Sequence, residues 1–226
     1  MPTVLVTGCD TGLGVEFARQ YAAAGCTVLA TCLDPDTATA TRAIAGDVRV
    51  MKLDVSDLCA IDALAAELRG EPIDILVSNA GIGRPHPPFG HTDYPLWQRM
   101  LAVNLIGPVK LAEAFVEHVA ASRMKVMAFV SSRMGSIALN LTGGSYGYRS
   151  SKAGLNAVVK SLAVDLAPRE ILVLALHPGW AQTDMGGDNA TVPVGDAVAG
   201  LLRVIDGASA ADSGGFRDWR GETLPW

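Results

Sequence analysis

Short apolar segments rich in β-branched residues alternate along the chain with longer segments in which apolar residues recur at helical spacing. The short segments predict β-strands at residues 3–6, 27–31, 48–53, 73–77, 126–131 and 171–176. The longer segments predict helices at residues 12–24, 37–45, 58–69, 95–122, 149–167 and 194–206. Strands that alternate with helices pair in parallel through right-handed crossovers. We therefore predict an α/β fold, a doubly wound parallel sheet with helices on both faces.

No linker, repeat or low-complexity tract interrupts this alternation, so we expect a single domain over residues 1–226. With 50% hydrophobic residues, a chain of 226 residues can bury a sizeable core. Two irregular segments, residues 81–95 and 179–193, follow predicted strands. Because open α/β sheets bind ligands beyond the carboxyl ends of their strands, we expect these segments to be substrate loops.

Composition narrows the class of partner. The net charge of −5, without any run of Lys or Arg, predicts small-molecule partners rather than nucleic acid or an anionic membrane. The N-terminal residues lack a leader pattern and no apolar stretch approaches a membrane span, so we expect a cytoplasmic protein. The cysteines lack Cys-x-x-Cys spacing, which predicts buried free thiols at Cys9, Cys26, Cys32 and Cys59.

A glycine-rich turn, Thr7-Gly8-Cys9-Asp10-Thr11-Gly12-Leu13-Gly14, joins the first predicted strand to the first helix. In this context the turn predicts a cradle for a dinucleotide. Gly8 would permit the tight turn, Gly12 the approach of the pyrophosphate, and Gly14 the packing of helix on strand. The helix N-terminus would offer N–H donors and a partial positive charge to the phosphates.

Tyr148 and Lys152 lie four residues apart in a predicted helix and therefore on one face of it. An ammonium near a phenol lowers the pKa of the phenol. A tyrosine tuned in this way can exchange protons near neutral pH. The pair thus indicates proton transfer close to the predicted dinucleotide.

Five motifs, in this order and spacing, resemble the short-chain dehydrogenase/reductase family. They are the Gly-x-x-x-Gly-x-Gly turn, Asn79-Ala80-Gly81, Asn104 in Val103-Asn104-Leu105, Tyr148-x-x-x-Lys152 and Pro178-Gly179. The resemblance runs from end to end and implies a Rossmann-type fold. The stretches 130–137, 176–180 and 224–226 look like those of small carbonyl reductases related to the C-signal protein and to the fly protein sniffer.

The resemblance implies a catalytic tetrad of Asn104, Ser132, Tyr148 and Lys152. Tyr148 would give a proton to a carbonyl oxygen or take it from an alcohol. Lys152 would lower the pKa of Tyr148 and bind the ribose next to the nicotinamide. Ser132 would hydrogen-bond the substrate oxygen, and Asn104 would hold a water that connects Lys152 to solvent.

The position of the catalytic serine is open between two residues. Many relatives place it about thirteen residues before the tyrosine, where this chain has Gly135, whereas Ser132 lies sixteen and Ser136 twelve residues before Tyr148. We favour Ser132 because it directly ends the fifth predicted strand.

The same resemblance assigns the nicotinamide cofactor to residues along the predicted sheet edge. They are Gly8, Asp10, Thr11, Gly12, Leu13, Gly14, Leu33, Asp54, Val55, Asn79, Ala80, Gly81, Tyr148, Lys152, Pro178, Gly179 and Thr183. Asp54 matches the position at the edge of the adenine, and Thr183 the position that meets the nicotinamide carboxamide.

The choice between NAD and NADP is a separate question. Cys32 and Leu33 stand where relatives place the Asp or Arg that discriminates between them. A 2′-phosphate needs cationic donors, yet this region offers no Lys or Arg before Arg42. It offers Asp10, Thr11, Asp34 and Asp36, and the carboxylates among them would repel the phosphate. We therefore favour NAD(H) and keep NADP(H), towards which the resemblance points, as the alternative.

The predicted loops above the nicotinamide bring mainly apolar side chains, which predicts an apolar substrate pocket. They are Met134, Leu139, Tyr146, Trp180 and Met185. Since no cluster of Lys or Arg accompanies them, we expect a small neutral ketone, aldehyde or secondary alcohol, apolar or aromatic.

Two groups of histidines lie outside this scheme. His86 and His91 are five residues apart in a proline-rich loop without Cys or carboxylate partners, so no metal site is predicted. His177 would either pack beneath the nicotinamide or be a hydrogen-bonded structural residue.

Two predicted helices, at 95–122 and 149–167, carry apolar residues on more than one face. They include Leu101, Leu105, Val109, Leu155, Val158, Val159 and Leu162. The resemblance implies that these helices form a four-helix interface, so we expect a homodimer or homotetramer. The sequence as a whole favours an oxidoreductase, with a cofactor-binding signalling protein of the C-signal type as the alternative.

Overall fold

The computed structural model of the protein describes residues 1–83 and 87–226. A seven-stranded parallel sheet forms its centre, in the order β3-β2-β1-β4-β5-β6-β7. The strands are β1 (Thr3–Thr7), β2 (Thr27–Cys32), β3 (Val48–Lys52), β4 (Ile75–Ser78), β5 (Val126–Val130), β6 (Leu172–His177) and β7 (Phe216–Asp218). This order reverses between β1 and β4, as in doubly wound dinucleotide-binding folds.

Helices cover both faces of the sheet, which confirms the predicted fold class. They are α1 (Gly12–Ala23), α2 (Thr39–Arg42), α3 (Leu58–Glu67), α4 (Tyr94–Leu101), α5 (Gly107–Ala120), α6 (Tyr146–Leu166) and α7 (Val194–Asp206). Phe17 of α1 and Leu201 of α7 are buried on one face. Phe115 of α5 and Leu155 and Val159 of α6 are buried on the other. Leu155 and Val159 therefore belong to the core and not to surface available for another subunit.

The helix predicted at 95–122 is interrupted by a π-helical segment, Ala102–Ile106, between α4 and α5. Pro108, near the start of α5, has no N–H to donate to the carbonyl group of Asn104, four residues earlier. A side chain at Gly107 would place its Cβ only 2.3 Å from the carbonyl oxygen of Val55. The proline and this close approach accompany the change of helical pitch, and π segments of this kind are frequent at functional sites.

The seventh strand was not predicted, because three residues are too short for an alternating pattern to be recognised. The helix predicted at 37–45 is only one turn long, and α6 starts three residues earlier than predicted. Cys9, Cys26 and Cys32 are buried as predicted, whereas Cys59 is exposed, contrary to prediction. In the described residues, no helix combines the length and apolar character that a membrane crossing requires.

The parallel register aligns the carboxyl ends of the strands at one edge. Thr7 pairs with Thr31, Val130 with Leu176, and His177 with Asp218. The glycine turn after β1, the Asn-Ala-Gly segment after β4, Ser132 after β5 and the Pro-Gly turn after β6 consequently follow neighbouring strands. The fold therefore brings the sequence motifs to a common edge.

Candidate active site

A cleft of about 1900 Å³ lies along this carboxyl edge. Its walls come from the glycine turn, the ends of β2 to β7, α6, and the segment between β6 and α7. Ligand pockets for small molecules usually measure about 300–1000 Å³. The cleft is thus large enough for a dinucleotide together with a second small molecule.

The glycine turn at one end of the cleft tolerates no side chains at two positions. Gly8 has φ of +72°, and a Cβ there would lie 2.7 Å from Cα of Ala80. A Cβ at Gly14 would lie 2.0 Å from the carbonyl oxygen of Gly8. The Asn79 amide donates to the carbonyl oxygen of Thr7 at 2.9 Å, which ties this turn to the end of β4. The bare backbone at the N-terminus of α1 fits a pyrophosphate.

The carboxylate of Asp10 bridges the glycine turn and the end of β2. Its Oδ1 accepts a hydrogen bond of 2.8 Å from the backbone N–H of Leu33. Arg42, the first cation after this strand, lies 3.9 Å from the Asp36 carboxylate. Asp10 and Leu33 both line the cleft, so its wall here presents a carboxylate.

The next wall of the cleft contains Asp54, predicted at the edge of the adenine, and Val55, another predicted cofactor residue. Oδ1 of Asp54 accepts hydrogen bonds from the backbone N–H and the hydroxyl of Ser56, at 2.9 and 2.7 Å. These bonds fix the carboxylate at the edge of the cleft.

Tyr148, Lys152 and Ser132 meet in the middle of the cleft. Lys152 is buried, and its ammonium donates to the carbonyl oxygen of Val130 at 2.8 Å. Its Nζ lies 6.0 Å from the centroid of the Tyr148 ring. Ser132 hydrogen-bonds the Tyr148 phenol. The structure thereby unites two hydroxyl groups and a buried cation.

The electrostatics of this group differ from the expectation that Lys152 lowers the pKa of Tyr148. Burial raises the pKa of the Tyr148 phenol, and the hydrogen bond with Ser132 opposes this shift. Burial also lowers the pKa of the Lys152 ammonium to about 8. Desolvation disfavours both charged forms here because both groups lie away from water.

The two candidate serines have different surroundings. Ser132 lines the cleft, hydrogen-bonds Tyr148, and accepts a hydrogen bond of 3.1 Å from the backbone N–H of Met134. Ser136 is buried outside the lining of the cleft, and its hydroxyl accepts from the backbone N–H of Leu139 at 3.1 Å. Only Ser132 has its hydroxyl beside Tyr148.

Asn104 is fully buried in the π segment and supports the cleft from below. Its Oδ1 accepts from the N–H of Ile82 at 2.9 Å, and its Nδ2 donates to the carbonyl oxygen of Ile82 at 2.8 Å and to the hydroxyl of Ser151 at 3.0 Å. A Cβ at Gly81 would lie 3.3 Å from this Oδ1 and 3.6 Å from Nζ of Lys152. Glycine at position 81 therefore leaves room between these two polar atoms.

The segment after β6 closes the other side of the cleft. A Cβ at Gly12 would lie 3.1 Å from the methyl group of Thr183, so this segment reaches the glycine turn. The hydroxyl of Thr183 accepts from the N–H of Gly186 at 3.0 Å. Trp180 donates to the carbonyl oxygen of the same Gly186 at 2.9 Å, although 52% of the residue is exposed.

Of the predicted substrate residues, four line the cleft: Met134, Leu139, Trp180 and Met185. Tyr146 does not line it, because it lies at the first position of α6, where 41% of it is exposed. Gly83 was not predicted, yet a Cβ there would lie 3.2 Å from both the Tyr148 ring and Sδ of Met185. No motif in the sequence marks this glycine.

Charged residues that no sequence motif marks also line the cleft. They include Arg99, Arg133, Asp218, Arg220 and Glu222. Asp218 and its neighbours were missed because they belong to the short β7 and the turn after it. The lining of the cleft as a whole is therefore of mixed polarity, and the apolar residues predicted for the substrate are only part of it.

The histidines of the proline-rich loop are only partly described by the structure. His86, and with it part of the predicted substrate loop 81–95, lies outside the described residues. In residues 1–83 and 87–226, no group of three His, Cys, Asp or Glu side chains has an arrangement that could hold a metal ion.

Comparison with known protein families gives one match that covers most of the chain. A family model described as short chain dehydrogenase matches residues 2–192. Among curated proteins, C-signal of Myxococcus xanthus is 43% identical over 164 residues, covering 73% of this chain and 99% of that protein.

Two solved structures are similar over essentially their whole length. NADPH-bound carbonyl reductase from chicken fatty liver has a TM-score of 0.92 at 32% identity, covering 100% of this chain and 99% of that one. The carbonyl reductase Sniffer of D. melanogaster has a TM-score of 0.93 at 29% identity, with 100% of both chains covered. These comparisons agree with the resemblance that the motifs indicated.

Proposed function

The chain belongs to the short-chain dehydrogenase family, and from this premise we propose that it transfers a hydride between a nicotinamide dinucleotide and a carbonyl compound or secondary alcohol. One observation carries the proposal: the hydroxyl groups of Tyr148 and Ser132 meet beside buried Lys152, in the cleft that begins at the glycine turn. The size of the cleft and the bare backbone of its glycines support the same cofactor.

In this proposal each polar group has one task. Ser132 and Tyr148 hold the substrate oxygen, and the phenol gives its proton to that oxygen during reduction or takes it back during oxidation. A bound reduced nicotinamide supplies the hydride that the carbonyl carbon gains and is itself oxidised, and the reverse reaction restores it. The raised pKa of Tyr148 keeps the phenol protonated at neutral pH, the state that reduction requires.

Lys152 and Asn104 would resupply the proton. The ammonium of Lys152 uses one donor on the carbonyl group of Val130 and keeps two others. The space that Gly81 leaves between Nζ and Oδ1 of Asn104 suits a ribose hydroxyl or a water molecule. A proton lost from Tyr148 can return along such a path.

The reacting part of the substrate is proposed to be a small neutral ketone or aldehyde, or the corresponding secondary alcohol. Trp180 and Met185 expose 52% and 42% of their surface beside this site, and Met134 and Leu139 extend the same lining. Apolar side chains around a few convergent polar groups are typical of pockets for such compounds.

Ser132→Ala and Ser136→Ala test the site as a matched pair. We expect Ser132→Ala to lower kcat/KM by about 100-fold, because it removes a hydrogen bond to the developing charge on the substrate oxygen. Ser136→Ala should change it by less than about threefold, since that hydroxyl supports only a loop. The assay follows the absorbance of the reduced cofactor over a panel of small ketones and alcohols; the reverse ranking would show the site to be misassigned.

For the cofactor we propose NAD(H), because the Asp10 carboxylate held by Leu33 would repel a 2′-phosphate. The NADPH bound to the similar carbonyl reductase favours NADP(H) as the second candidate. We expect kcat/KM to be at least about tenfold higher with NADH than with NADPH, and Asp10→Asn to narrow this ratio several-fold. Asp165→Asn, a change at an exposed carboxylate of α6 outside the lining of the cleft, serves as control and should leave the ratio unchanged. A clear NADPH preference of the wild-type protein contradicts the NAD(H) proposal.

We further propose a homodimer or homotetramer formed through α5 and α6. Ile106, just before α5, and Val164, near the end of α6, are 47% and 63% exposed and leave apolar surface on this side. Light scattering should then give two or four times the chain mass of 23.6 kDa. A mass of one chain at micromolar concentration contradicts this assembly.

The similarity to C-signal favours a second candidate, a protein that binds the cofactor for signalling and needs no turnover. Such a protein has no chemical need for Tyr148, Ser132 and Lys152 in contact with one cleft. The convergence of these three residues therefore favours the enzyme.

A further inference from the structure

Three polar residues stand at the carboxyl ends of neighbouring strands, next to the proposed reacting hydroxyls. Arg133 directly follows Ser132, His177 ends β6, and Asp218 ends β7. His177 and Asp218 are register partners in the sheet. All three residues line the cleft, and we call Arg133, His177 and Asp218 the polar row. A substrate whose carbonyl group lies at Ser132 can extend along this row.

His177 has an unmet need for a hydrogen bond. Its Nδ1 is buried and has no partner among the described residues. Burial, reinforced by the nearby Arg133 cation, lowers the pKa of the imidazole to about 4, while Asp218 opposes the shift. The ring is therefore neutral at pH 7, with one nitrogen as donor and the other as acceptor. Nδ1 is shielded from the cleft, whereas Nε2 is accessible and has no hydrogen bond within the described residues. Nε2 is therefore the nitrogen of His177 that a ligand in the cleft can meet.

The two outer members of the row also keep free hydrogen-bonding capacity. Oδ1 of Asp218 accepts from the backbone N–H groups of Arg220 and Glu222, both at 2.9 Å, which fixes the carboxylate. Within the described part of the chain, Oδ2 of Asp218 has no hydrogen bond, and Arg133 forms no ion pair. The row therefore offers a donor at one end, an acceptor at the other and a neutral ring between them.

We propose, on the basis of the proposed function, that the polar row binds a hydroxyl group of the substrate, so that hydroxylated ketones and the corresponding diols are its preferred class. A hydroxyl group both donates and accepts hydrogen bonds, and so it can donate to His177 or Asp218 while it accepts from Arg133. A purely apolar substrate would displace water and leave these groups unpaired. A carboxylate attracted by Arg133 would be repelled by Asp218.

Two probes that differ by one tertiary hydroxyl group test this subsite: 2-methylcyclohexanone and 2-hydroxy-2-methylcyclohexanone. A ketone cannot gain a hydride from oxidised cofactor, and a tertiary alcohol has no hydride to give. Calorimetric titration of the full chain saturated with oxidised cofactor therefore measures their affinities without turnover. We expect the hydroxylated probe to bind at least about tenfold more tightly to the wild-type protein. Equal affinities, or no measurable binding of the hydroxylated probe, overturn the subsite. The proposed function is tested separately, by whether turnover depends on Tyr148.

Variants of the polar row then test whether its residues cause the preference for the hydroxylated probe. Asp218→Asn keeps the acceptor for the turn and removes the second carboxylate oxygen, and His177→Leu removes both ring nitrogens. We expect each change to reduce the affinity ratio of the two probes to less than about threefold. Arg203→Gln, an exposed change on α7, should leave the ratio as in the wild type. A ratio that neither row variant changes overturns the assignment, whatever the absolute affinities.

Discussion

Replacement of Tyr148 by Phe should lower kcat by about 100- to 10,000-fold, the range that a lost general acid produces. The phenyl ring keeps the contacts that Tyr148 makes below Gly83, so the variant loses its proton donor and little of its packing. Turnover is measured by the absorbance of the reduced cofactor, with the substrate that the wild-type protein uses fastest.

Tyr146→Phe is the matched control, because it removes the same hydroxyl group from a residue outside the cleft lining, two residues before Tyr148 in the same helix. Its kcat should stay within about threefold of the wild type. Cofactor affinity, followed by fluorescence titration, should survive in Tyr148→Phe as well. Undiminished turnover of Tyr148→Phe is incompatible with the proposed mechanism.

Lys152→Met should have opposite effects on activity and on stability. Loss of the ammonium removes the ribose and proton contacts, and we expect kcat/KM to fall by at least about 100-fold. Yet the burial that lowers the pKa of Lys152 to about 8 is a cost that the folded protein bears. At pH 7, and without cofactor, the variant should gain about 1–2 kcal/mol in free energy of unfolding, since the unpaired Val130 carbonyl offsets part of the relief.

The pH dependence of that gain has a defined sign. Below pH 8 the lysine is charged in both the folded and the unfolded chain, so the wild-type protein bears the whole desolvation cost. Between pH 8 and the ordinary lysine value of 10.5, the unfolded chain binds more protons than the folded one. The stability of the wild-type protein therefore rises through this window relative to that of the variant.

Urea unfolding from pH 6 to 10.5 measures the difference in free energy of unfolding between Lys152→Met and the wild type. This difference should be largest at the acidic end and disappear at the basic end. Lys160→Met, on the exposed side of the same helix, is the control and should show neither the activity loss nor the pH-dependent gain. The measured quantity is the free energy of unfolding of Lys152→Met minus that of the wild type. If this difference is smaller at pH 7 than at pH 10, burial of the Lys152 ammonium does not destabilise the folded protein.

Much of the fold could be predicted from local patterns. All six predicted strands are present within two residues of their expected ends, because a buried strand or an amphipathic helix leaves its periodicity in the sequence. The π segment was not predicted, since it depends on Gly107 lying against Val55, a residue far away in the chain. The three-residue β7 exists through its pairing with β6 and has too little local pattern of its own.

In the candidate site, too, some features could be predicted from the sequence and others depend on tertiary contacts. The glycine turn and the spacing of Tyr148 and Lys152 could be recognised in the sequence, because neighbouring residues on one helix or turn interact wherever the chain folds. The raised pKa of Tyr148 and the lowered pKa of Lys152 could not, because desolvation is set by residues from several distant elements.

By itself, the sequence determined six of the seven strands and the main helices between them. It also marked the glycine turn that we propose to hold the cofactor and the residues that carry the proposed proton transfer. The tertiary structure alone decided that Ser132 rather than Ser136 lies beside Tyr148, that Tyr146 stays outside the cleft, and that Arg133, His177 and Asp218 line it together. The physical reason is that periodicity and spacing are properties of adjacent residues. Burial, charge and unpaired hydrogen-bonding groups arise only where the parallel strands bring their carboxyl ends to one edge.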